Sequence, residues 1–207
     1  VTLEGRAGWL YPICVAVFLL ALLCSSPARA LSVLVIGDSH TGVIGPQISS
    51  LLRSSGNSVR VVYHNGWSVK SYLKRPGGFP HGHPDLAIVL LGGNNRELSL
   101  DRYTPLALSM LRRLGARHVL WVGPFPAEPT RTRFRHHRTR EMQLYVFASR
   151  PDVTWLDPSY DFRDIGHVRD GVHYRIRSYY GFSTVLYSYA YFLIQMLEDN
   201  LLDDNVL

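Results

Sequence analysis

Four short stretches carry side chains suited to nucleophilic chemistry. At 37–40, "GDSH" places Ser39 between an acid and a histidine, directly after an apolar run. At 170–173, "DGVH" sets Asp170 three residues before His173. On a turn, that spacing lets a carboxylate bond one imidazole nitrogen while the other nitrogen faces a serine hydroxyl. "DIGH" just upstream repeats the spacing with Asp164 and His167, so spacing alone does not choose between the pairs. A serine that attacks a carbonyl also needs donors for the developing oxyanion. Gly66 in "HNGWSV" offers an unobstructed backbone N–H, Asn94 in "GGNN" a neutral amide, and Ser39 its own N–H. Each residue also has an ordinary role: Ser39 caps a helix, and Gly66 and Asn94 sit in turns or caps.

Their common feature is position. Short β-branched runs at 32–36, 58–63, 85–91, 118–123 and 153–157 predict five strands, with helices near 43–54, 102–114, 134–149 and 180–199 between and after them. Repeated βαβ units make a parallel sheet with helices on both faces, and such sheets bind ligands beyond the carboxyl ends of their strands. "GDSH", "HNGWS" and "GGNN" follow the first three strands. "KRPGGFPHGHPD" at 74–85 reads as a Pro/Gly loop at the rim, not a linker.

The chain has 207 residues, 46% of them apolar, enough for one α/β domain. Residues 1–30 differ from the rest: Arg6, an apolar run from Trp9 to Cys24, then Ala28-Arg29-Ala30. That is the layout of a signal peptide, or of an N-terminal membrane anchor if it is not cleaved. Both place residues 31–207 outside the cytoplasm, in a periplasm or secreted. Cys14 and Cys24 both lie in that segment, so thiol nucleophiles, disulfides and zinc–cysteine sites are excluded from residues 31–207. The formal net charge is +6. It suits an anionic cell wall or membrane surface as a neighbour. Nucleic acid is disfavoured, because the chain lacks the aromatic signature of a binding module.

Taken together, "GDSH", Gly66, "GGNN" and "DGVH" resemble, in order, the conserved blocks of the SGNH (GDSL-like) hydrolase family. The resemblance spans essentially all of 31–207. It implies a three-layer α/β/α fold of flavodoxin-like topology with a five-stranded parallel sheet. It also implies ester hydrolysis without metal or organic cofactor. By motif it makes Ser39 the nucleophile, His173 the general base and Asp170 its orienter, with Ser39, Gly66 and Asn94 as the oxyanion hole. It also selects "DGVH" over "DIGH". Two positions depart from the pattern: His40 stands where an apolar residue is common, and Asn95 where an aspartate is usual.

The resulting expectation is an exported serine esterase, with O-acetylated cell-wall or exported polysaccharide as a sensible substrate and a small or lipid ester close behind. An acyltransferase on the same site and a non-catalytic glycan-binding protein are the alternatives. Trp67 and Tyr72 are candidate walls for a sugar or acyl group, and His40 is a candidate substrate contact; core packing and a helix start are the plainer roles. The basic run "RTRFRHHRTRE" at 131–141 either meets an anionic ligand or forms a solvated face.

Overall fold

A computed structural model describes residues 30–75, 82–128, 130–159 and 170–199. Asp164, His167 and nearly all of the N-terminal segment lie outside the described residues. In chain order the elements are β1 (Ser32–Gly37), α1 (Ser39–Ser54), β2 (Ser58–Tyr63), α2 (Val69–Lys74), β3 (Leu86–Leu90), α3 (Leu100–Leu114), β4 (His118–Val122), α4 (Thr130–Phe147), β5 (Val153–Leu156) and α5 (Ile176–Glu198).

The strands form one five-stranded sheet in the order β2-β1-β3-β4-β5, every pair parallel. Apolar residues occupy both of its faces. Val33 and Val35 of β1 pack with Ile44, Ile48 and Leu52 of α1 and with Phe182, Leu186 and Leu193 of α5. Leu34 and Ile36, one residue out of step, pack on the other side with Tyr103, Ala107 and Met110 of α3 and Met142 and Phe147 of α4. Successive strand side chains point to opposite faces, so a strand covered on both sides must be apolar throughout. Accordingly every residue of β3 and β4 is buried, whereas edge strand β2 carries exposed Ser58, Arg60 and Tyr63.

Chain order reverses between β1 and β3: β2 follows β1 outward on one side, and β3 returns to the other. A crevice opens at that reversal, at the carboxyl ends of the two strands. Gly37 closes β1 there. A Cβ at this position would run into Thr41 Oγ1 and the carbonyl of Leu90, so only glycine lets the turn into α1 lie against the end of β3.

The strands lie within a residue or two of their predicted bounds, but four helices differ, α5 beginning at Ile176 and not 180. α1 begins at Ser39, not 43, because Asp38 accepts a hydrogen bond from the His40 N–H (3.1 Å) and caps it. α2, capped by Ser68 and Ser71, is too short for an apolar period to reveal. α4 begins at Thr130, not 134, within a basic run without apolar periodicity.

Candidate active site

Ser39 is the first residue of α1, half-buried at the end of β1. Its hydroxyl lies 2.9 Å from His173 Nε2. The other ring nitrogen, Nδ1, lies 2.6 Å from Asp170 Oδ2. The second oxygen of Asp170 accepts the backbone N–H groups of Val172 and His173, each at 2.9 Å, which fixes the carboxylate in its turn. The hydrogen bond from the His173 ring, with those two backbone bonds, holds the Asp170 carboxyl well below the usual carboxylate range. An ionised Asp170 accepts the Nδ1–H, which leaves the Nε2 lone pair for the Ser39 hydroxyl.

Ser39, Gly66, Asn94 and His173 line one cavity of about 580 Å³. Gly66 has φ of +73°, in the left-handed region, with nothing within 4 Å of where a Cβ would be. A glycine serves this turn and leaves the backbone open to the cavity. Asn94 donates one amide hydrogen to Asp38 Oδ2 at 3.0 Å, and its other N–H remains to serve the cavity. The first N–H of a helix has no partner within the helix, so that of Ser39 is also free of the α1 ladder. Such donors suit a tetrahedral oxyanion formed by attack of Ser39.

Asp38 does structural work beneath this arrangement. Burial raises its pKa to about 7, against the hydrogen bonds from His40 and Asn94 and the charge of His173, which pull it down. It braces the turn and aims Asn94.

His40, in the cavity wall, is buried and committed: its ring stacks on Phe125 with centroids 4.5 Å apart, and Nδ1 lies 2.9 Å from the Tyr179 hydroxyl of α5. It is thus a helix-start residue that joins α1 to α5. Tyr72 forms no wall for substrate. Its side chain is enclosed, and its hydroxyl donates to the Gly37 carbonyl at 2.7 Å. Trp67 stacks on His64 at 3.9 Å and meets Tyr72 edge-on, so it packs over that tyrosine instead of facing Ser39. Tyr63, at the end of β2, lines the cavity. Asn95, where an aspartate was expected, is buried and donates to the Glu97 carbonyl at 2.7 Å, which shapes the loop after Asn94.

The sequence left open whether the basic run at 131–141 meets a ligand and singled out no residue of it. Thr132, Arg135 and His136 reach the cavity from the basic run. His136 is buried, with Nδ1 2.5 Å from the Phe125 carbonyl and Nε2 3.0 Å from that of Gly93. Burial lowers its pKa and favours the neutral ring, which has one N–H. Only the cation would satisfy both carbonyls. In the neutral form the shorter contact takes the proton, Nδ1–H on the Phe125 carbonyl. His136 thereby ties α4 to the loop after β4. Its buried face recurs with Thr139, Gln143 and Phe147 at helical spacing, a signal that the surrounding arginines hide.

No protein-family model matches the sequence, and no curated protein matches it significantly. Solved structures do match. The chain superposes on a lipase/acylhydrolase from Enterococcus faecalis at TM-score 0.61 and 17% identity, covering 82% of this chain and 97% of that one. It matches a carbohydrate esterase family 3 protein from Talaromyces cellulolyticus at TM-score 0.65 and 17% identity, covering 80% and 98%. It also matches the C-terminal catalytic domain of Streptococcus pneumoniae peptidoglycan O-acetyltransferase A at TM-score 0.56 and 18% identity, covering 82% and 96%. The chain therefore has the α/β fold of the SGNH-type hydrolases.

Proposed function

We propose that this protein is a serine esterase of the SGNH type that cleaves carboxylic esters through an acyl-enzyme on Ser39, with O-acetylated polysaccharide as its substrate class. One observation carries the reading: the unbroken relay from Ser39 Oγ through His173 to Asp170, at 2.9 and 2.6 Å.

In this mechanism His173 Nε2 takes the hydroxyl proton as Ser39 attacks the ester carbonyl. The N–H groups of Ser39 and Gly66 and the side-chain amide of Asn94 meet the charge on the carbonyl oxygen. The tetrahedral intermediate collapses to the acyl-enzyme, and His173 gives its proton to the leaving alcohol. It then draws a proton from water, whose attack releases the acid and restores Ser39. Because the imidazole must be neutral to accept a proton, activity falls on the acid side.

The carbohydrate assignment is supported by the fold shared with carbohydrate esterases and by Asn65, Asn94 and Thr132, polar residues in the cavity lining. Export is supported by the layout of residues 1–30, with 31–207 as the hydrolase domain. The same acyl-enzyme can pass its acyl group to a sugar hydroxyl, and the fold shared with an O-acetyltransferase favours keeping that second reading.

The test is a p-nitrophenyl acyl series with wild type, Ser39→Ala and His173→Ala. Cleavage abolished in both variants supports the esterase, and cleavage that survives Ser39→Ala overturns it. Product that forms only when a sugar acceptor is supplied assigns the transferase.

A further inference from the structure

The catalytic cavity does not end at α4. A second concavity, of about 620 Å³, opens beside it and is lined by Arg96, Leu98, Arg131, Phe134 and Arg135. Arg135 lines both, so the two adjoin at its side chain. Arg96 lies two residues beyond Asn94, on the loop that supplies a proposed oxyanion donor. Arg131 and Arg135 are one helical turn apart on α4 and share a face.

Among the described residues none of these three guanidinium groups has a carboxylate partner. Glu97, beside Arg96, is taken by Lys70 at 2.6 Å. Arg135 donates to Thr132 Oγ1 at 3.4 Å, and its Nε–H is shielded from solvent with no hydrogen-bond partner. A buried donor without an acceptor is costly, so such a group waits for one. Three uncompensated guanidinium groups around a concavity likewise raise the positive potential there.

We infer that this concavity is a subsite for an anionic sugar unit of the substrate, its acidic oxygens held by Arg96, Arg131 and Arg135 while the neighbouring acylated unit sits at Ser39. Guanidinium forks match the planar oxygens of a carboxylate and bind them in pairs. Phe134, 60% exposed among the arginines, offers a flat apolar surface to the ring of that unit. A lipid headgroup layer would instead meet a convex basic face with apolar residues that insert into it. As a statement about substrate, the inference rests on the esterase reading and narrows it to acylated acidic glycans.

Binding to oligogalacturonate and to a xylo-oligosaccharide of equal length, measured by calorimetric titration of the full chain, tests it without any turnover. The expected result is binding of the acidic sugar at least about tenfold tighter, with an advantage that salt reduces. Arg96→Gln/Arg131→Gln should abolish that advantage. Both side chains are exposed, and an unchanged melting midpoint would verify that the variant folds. Equal binding of the two sugars, or an advantage that survives in the double variant, would overturn the subsite. So would arginine-dependent binding to phosphatidylglycerol vesicles with which oligogalacturonate does not compete. Ser39-dependent hydrolysis of p-nitrophenyl acetate is scored separately. Its absence alongside intact sugar binding would remove the esterase and leave the subsite.

Discussion

At the residue scale, Ser39, His173 and Asp170 depend on one another, so their losses should not add. Ser39→Ala and His173→Ala should each lower kcat by about a thousandfold or more, and the double variant hardly further. Asp170→Asn should cost on the order of a hundredfold or more in kcat with KM little changed, because it disturbs the tautomer of His173 and not the binding of substrate. Asp38 makes a different prediction. Its folded pKa, about 7, lies above the ordinary value of 3.8, so between those pH values the folded state holds a proton that the unfolded chain has released. Stability contributed by this group is therefore full below about pH 4 and declines as pH rises to about 7. Denaturant titrations of wild type minus Asp38→Asn should show this decline, and a flat difference would refute it. Much of this scale was legible beforehand, because the serine, the acid–histidine pair and the two donors belong to short motifs. Arg135 and His136 were not, since a side chain that turns inward from a basic run has the same letter as one that faces water.

At the scale of elements, glycine and caps decide where the chemistry lies. Gly37→Ala would push β1 from the end of β3 or displace Thr41, and should cost about 1–3 kcal/mol in denaturant titration along with most of the activity. Gly66→Ala meets no clash but must hold φ of +73° with a Cβ, at a cost of about 1 kcal/mol. Its effect should fall on kcat more than on KM if that backbone serves the oxyanion. The strands were legible because central parallel strands are apolar throughout. The start of α1 was not, because a cap at Asp38 and glycines at 42 and 45 resemble a loop. Gly45 is tolerated there, and indeed needed, since a Cβ would press on Val61 of β2. Trp67 and Tyr72 fell where an aromatic next to a glycine reads equally as wall or packing; Tyr72 is enclosed, and the half-buried Trp67 packs on it and on His64.

At the scale of the molecule, both faces of one sheet are covered and its carboxyl edge is left for the site. Leu31 is buried, and its N–H reaches Asn57 Oδ1 at 3.3 Å, so the chain is already held in the core just before β1. A protein that starts at residue 31 should accordingly melt in one transition and retain the p-nitrophenyl ester activity of the full chain. Loss of either would show that the first thirty residues take part in the fold. The site also joins distant parts of the described chain: Ser39 follows β1, and His173 precedes α5. α1 and α5 clasp directly, through His40 and Tyr179 at 2.9 Å and through Ser183, which donates to Gln47 at 2.7 Å. Ser39 and His173 thus lie 134 positions apart in sequence and meet only once α5 has packed against α1. A chain in which that packing step has not taken place holds the serine and the histidine but not the relay between them.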